Sequence, residues 1–124
     1  MSKGFIQLIH VTAELPPTVG GVADYTAILS QRLVEVSEGQ VEPVLIRTGW
    51  KQNQPLPETD FETVDLAGEA NASALVETIQ RLTSGIDRTV VLLQYSGYGY
   101  APRGAPWWLV RGLQQACEEA SVPL

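Results

Sequence analysis

The sequence predicts an α/β domain with a mainly parallel sheet and helices on both faces. Three observations carry that expectation. Apolar runs of strand length alternate with segments whose apolar residues recur every three or four positions. The run Thr89-Val90-Val91-Leu92-Leu93-Gln94-Tyr95 lacks polar alternation, which places it where both faces are covered, as in the middle of a parallel sheet. The chain has 124 residues, 44% of them hydrophobic, which suits one domain with its own core.

Phe5 to Val11 reads as the first strand. The prolines and glycines of Thr12 to Gly21 exclude regular structure there. Val22, Tyr25, Leu29, Leu33 and Val36 then mark one face of a helix. Val41 to Thr48 predicts a second strand, Gly49 to Asp60 a polar loop, and Phe61 to Leu66 a short third strand. Leu75, Ile79 and Leu82 place a helix over Asn71 to Thr83, ended by Ser84-Gly85. After the strand at Thr89 to Tyr95 comes a loop rich in Gly and Tyr, and Pro106 suits the first turn of a last helix. Leu109, Leu113, Ala116 and Ala120 form the apolar face of that helix, which ends near Ser121. The first and fourth strands are expected side by side at the sheet centre. Val122-Pro123-Leu124 reads as the opening of a further strand, so the chain is expected to be a domain lacking its last strands.

Composition removes several functions. With 8 Lys+Arg against 14 Asp+Glu, the net charge is −6, and no basic patch exists to neutralise the phosphates of a nucleic acid. The single Cys117 and the single His10 exclude a disulfide framework and Cys- or His-rich metal sites, so no metal is expected. No apolar run approaches the ~20 residues of a membrane span, and Phe5 to Ile9 is too short and polar for a signal-peptide core. The expected location is cytoplasmic. Asn71-Ala72-Ser73 then matches a glycosylation pattern only by chance.

Ligands of open α/β sheets bind beyond the carboxyl ends of the strands, where strand order reverses. Two loops leave such ends. The first closes with Gly20-Gly21 at a helix start, where free amides and the helix dipole favour a phosphate or another anion; a flexible turn explains the same glycines. Neither the dinucleotide G-x-G-x-x-G spacing nor a G-x-x-x-x-G-K-[ST] loop is present. The second loop interleaves Tyr95, Tyr98 and Tyr100 with Gly97 and Gly99, and Arg103 follows. Tyrosines suit sugar rings, and arginine supplies a planar fork for phosphate or carboxylate, although tyrosines equally anchor loops. His10, at the end of the first strand, is a base, a substrate-orienting group or a structural histidine. Glu14 reads as a solvated loop acid, Trp107 and Trp108 as packing against the sheet or against a missing neighbour, and Cys117 as core.

Two stretches carry a resemblance. Leu15-Pro16-Pro17-Thr18-Val19-Gly20-Gly21-Val22-Ala23-Asp24-Tyr25-Thr26, followed by Leu29 and Leu33, resembles the first loop and helix of family 4 glycosyltransferases. Val91 to Tyr100, with Gly104-Ala105-Pro106-Trp107-Trp108-Leu109, looks like the fourth strand and following loop of the same domain. The resemblance implies the N-terminal, acceptor-side, Rossmann-like domain of a GT-B fold, without its C-terminal donor domain. It implies a nucleotide-sugar donor as substrate and no cofactor. Gly20 and Gly21 match the loop near the donor diphosphate; Tyr95 to Tyr100 match the acceptor-side wall, to which His10 and Arg103 are added as candidates. Alternatives are a non-catalytic module binding an anion or sugar, and a subunit docking a separate C-terminal half. An open sheet edge would also permit self-association.

Overall fold

Each apolar run of the sequence forms a strand in the computed structural model, which describes residues 5–16, 21–51, 56–94, 100 and 106–124. The strands are β1 (Ile6–Thr12), β2 (Val41–Gly49), β3 (Glu62–Ala67) and β4 (Thr89–Leu93). The helices are α1 (Gly21–Val36), α2 (Ala72–Thr83) and α3 (Trp107–Ala120). All pairings are parallel, in the order β3-β2-β1-β4. The expected α/β class is therefore the one found, and the arrangement is Rossmann-like.

Successive side chains of a strand point to opposite faces, and laterally paired residues share a face. Ile9 and Val11 pair with Val44 and Ile46, and Ile9 also with Val91, so these residues line one face. That face holds the main core, completed by Leu75 and Ile79 of α2 and by Leu109, Leu113 and Ala116 of α3. Each of the Val, Leu and Ile side chains among them contributes about 1.5–3 kcal/mol through burial. Gly112 lets the two helices approach closely: a Cβ there would lie 3.3 Å from the Ala72 Cα. Local signals fix the ends of α2. Asn71 accepts from the Ala74 amide at 2.8 Å as its N-cap, and Gly85, at φ 77°, turns the chain after Ser84.

The opposite face is covered by α1 and differs from expectation. The residues that α1 buries are Ala23, Thr26 and Ser30, whereas Tyr25 is 56% exposed and Val36 77%. Leu29 and Leu33 are half-buried, and the side chain of Val22 lies outside the described residues. The apolar periodicity of the sequence thus does not mark the sheet-facing stripe. Small and hydroxyl-bearing residues face the sheet instead, over a surface in which His10, Thr12 and Arg47 interrupt the apolar Leu8 and Leu45.

The middle position expected for the fourth strand is also corrected. Among the described residues β4 is an edge strand, paired only with β1, and Leu92 is 37% exposed. Its outer side meets the chain's own tail: Val91 donates its amide to the Pro123 carbonyl at 3.0 Å. Ser121, in the left-handed conformation, caps α3 and turns the chain towards that edge, and Val122 packs on the core. Pro123 has no N–H to offer a further strand.

Candidate functional site

Strand order reverses between β1 and β4. The chain steps outward from β1 to β2 to β3, then returns to place β4 on the other side of β1. The loops leaving β1 and β4 therefore flank the switch point at the carboxyl edge of the sheet, where this architecture binds ligands. The first loop delivers Gly21 as the opening residue of α1. Thr12 shapes its start: its hydroxyl donates to the Glu14 carbonyl at 3.0 Å and accepts from the Glu14 amide at 3.3 Å.

A buried polar layer lies on the α1 face below this mouth. Thr12 pairs with Arg47, and Arg47 with Asp65, so the three share that face. His10, two residues before Thr12, sits between Leu45 and Leu92. His10, Thr12 and Arg47 are essentially inaccessible to solvent. Arg47 grips Asp65 in a bidentate pair, Nε to Oδ1 at 2.9 Å and Nη2 to Oδ2 at 2.7 Å. That pair, aided by the Ala67 amide, holds the Asp65 carboxyl below its ordinary value against the opposing effect of burial. Among the described residues the Arg47 Nη1, on the guanidinium edge away from Asp65, has no hydrogen-bond partner, and neither do His10 Nε2 and Ser30 Oγ.

His10 is oriented from β4. Gln94 Nε2 lies 3.4 Å from His10 Nδ1. With Nδ1 as acceptor, the neutral ring carries its proton on Nε2, leaving a buried donor unsatisfied. Burial lowers the His10 pKa from 6.5 to about 4. The ring is therefore neutral near pH 7 and too weakly basic for efficient proton abstraction, which favours an orienting role over that of a general base.

Of the sequence-predicted residues, His10 lies at the floor of the switch point and Gly21 at its rim, while Gly20, Tyr95, Tyr98 and Arg103 lie outside the described residues. Tyr100 is fully buried. Its hydroxyl donates to the Gln94 carbonyl at 2.6 Å, with the Val11 carbonyl 3.2 Å away, so it clamps the end of β4 onto the end of β1. Trp108 packs edge-on against it and donates Nε1–H to the Tyr100 carbonyl at 3.1 Å. Trp107, in contrast, is 76% exposed. Replacing Tyr100 with Phe is expected to cost about 1–2 kcal/mol in urea denaturation, because the Gln94 carbonyl loses the Tyr100 hydroxyl, while the Val11 carbonyl keeps the Gln94 amide at 2.8 Å.

Sequence reading passed over Arg47, Asp65 and Gln94. The available signal was a cation near the end of an otherwise apolar strand, which demands a nearby acid. Among the described residues no helix is long and apolar enough to cross a membrane. No family model, curated protein or solved structure matches the chain.

Proposed function

We propose that this chain is the acceptor-side, Rossmann-like part of a glycosyltransferase that takes a nucleotide-sugar donor. One observation carries the reading. The glycine-ended loop and the tyrosine-rich loop, the two stretches that bear the family resemblance, leave the two strands that flank the switch point. In this reading the amides of Gly20 and Gly21, at the N-terminus of α1, meet the donor diphosphate. Tyr95, Tyr98 and Arg103 are the candidate acceptor-binding residues, His10 acts from the buried floor of the site without touching the acceptor, and Tyr100 clamps the end of β4 onto β1.

Transfer of the sugar requires stabilising a departing diphosphate, which is work for cations and helix termini. A chain of net charge −6 supplies little of it, so a donor-binding domain must provide the rest. The isolated chain is expected to show no turnover with a nucleotide-sugar and a sugar acceptor. It is expected to bind uridine diphosphate weakly, with amide shifts in nuclear magnetic resonance centred on Gly20 and Gly21. Absence of any shift at these glycines with nucleoside diphosphates at millimolar concentration would sink the reading. Equal shifts with a simple sugar and with uridine diphosphate would favour a non-catalytic binding module.

A further inference from the structure

Between α1 and the segment that leads into β3 lies a groove that the proposed function does not use. One wall is a stripe of α1, Ala27, Gln31, Val34 and Glu35; the other is the segment from Glu58 to Phe61 that leads into β3. The space between them is about 440 Å³. A second cavity of about 470 Å³ shares Val34, Asp60 and Phe61 with the first and continues past Phe5 and Ile86 beneath the strands. The outer wall is fixed in place. Glu58 donates its amide to the Pro16 carbonyl at 2.7 Å, Phe61 its amide to Thr59 Oγ1 at 3.2 Å, and Thr63 its hydroxyl to the Phe61 carbonyl at 3.0 Å.

Apolar and acidic residues lie side by side in the lining. Phe61, Val34 and Phe5 are half-buried within it, and Ile28, beside the stripe on α1, is 59% exposed. Glu35, Glu58 and Asp60 border the first cavity, and Glu42 and Glu62 join Asp60 at the second. Among the described residues neither lining contains a Lys or Arg. The nearby Arg32 lies on the exposed side of α1, 3.7 Å from Glu35.

We propose that this groove docks a cationic amphipathic peptide segment, its apolar side chains against Phe61 and Val34 and its Lys or Arg residues against the five carboxylates. Charge complementarity selects this occupant. A second copy of the chain, at net charge −6, would set like charges against each other, and nucleic acid or an anionic membrane would be repelled for the same reason. A single metal ion does not suit carboxylates strung along a groove, and among the described residues no group of three or more potential ligands converges. A row of cations spaced along an apolar strip matches both features, as in the docking of amphipathic helices into grooves.

The test uses the full 124-residue chain and a 14-residue helical peptide of Leu and Lys, read by amide shifts at low salt. Shifts are expected over residues 27–35 and 58–62, with affinity falling as salt rises. The double change Glu58→Lys with Asp60→Lys, both at exposed positions, should weaken binding about tenfold or more. The matched control Glu77→Lys with Glu118→Lys, on α2 and α3, should change it less than about twofold, and an all-Lys peptide of equal length should bind much more weakly. Equal weakening by the two double variants, equal binding of the all-Lys peptide, or shifts spread over α2 and α3 would each overturn the proposal.

Discussion

Lowering the pH from 7 to about 4.5 is expected to destabilise the fold by about 2 kcal/mol through His10 alone. The imidazole is fully buried between Leu45 and Leu92, and burial pulls its pKa from 6.5 down to about 4. An unfolded chain takes up the proton from pH 6.5 downward, whereas the folded chain resists it until about pH 4. Between those values the unfolded state binds more protons, so stability falls as pH falls. The loss is on the order of 3 kcal/mol once both values are passed. Asp65 acts in a lower window: its depressed pKa contributes stability that is lost only as pH drops below the ordinary carboxylate range. Urea denaturation at stepwise pH separates the two. His10→Leu should flatten the dependence between pH 6.5 and 4 while costing little at pH 7, since it also removes an unsatisfied Nε2. A His10→Leu protein with the original slope over that interval would show that the acid sensitivity lies elsewhere.

The elements of this fold were legible because their signals are local. Asn71 and Gly85 bracket α2 with side-chain and backbone chemistry that acts within a few residues, and Leu75, Ile79 and Leu82 are buried as their spacing requires. The face of α1 was not legible in the same way. Hydrophobic period assumes an apolar sheet beneath the helix, but β1 and β2 present His10, Thr12 and Arg47 to it. Ala23, Thr26 and Ser30 fit that layer, and larger apolar residues such as Tyr25 are left outside. The run Thr89 to Leu93 misled for a related reason. An edge strand reads as a central one when one flank is sheltered by a tail, here Pro123 accepting from Val91.

For the site, residue type was informative and partnership was not. Tyr100 stood out in a loop of glycines and tyrosines, yet its hydroxyl is spent on the Gln94 and Val11 carbonyls. That role depends on β1 and β4 being neighbours, a consequence of strand order that no local pattern encodes. His10 was visible as the one histidine, but the partner of its Nδ1 is Gln94, which lies 84 positions away in the chain.

The same polar layer makes the Arg47–Asp65 pair unequal in its two halves, and the inequality can be measured. Arg47 is 1% exposed along its side chain and Asp65 33%. Removing the carboxylate by Asp65→Ala takes the acceptors from Nε and Nη2 of a buried guanidinium whose Nη1 has none among the described residues. An uncompensated buried charge of this kind costs about 3 kcal/mol or more. Removing the cation by Arg47→Met leaves the other charge at the rim, where water reaches Asp65, and replaces a buried ion with an apolar chain of similar length. That change should cost about 1 kcal/mol or less. Asp65→Ala also deletes the bond from the Ala67 amide, but that bond is exposed to water and accounts for little of the difference; the two bonds of the pair itself are lost in both variants. In urea denaturation at neutral pH, Asp65→Ala should therefore unfold at clearly lower denaturant than Arg47→Met, and adding Arg47→Met to Asp65→Ala should restore most of the loss. Rescue of that kind is specific to relief of a buried cation. If the double variant is instead as unstable as Asp65→Ala alone, the pair is held by packing around β3 and not by the charge beneath α1.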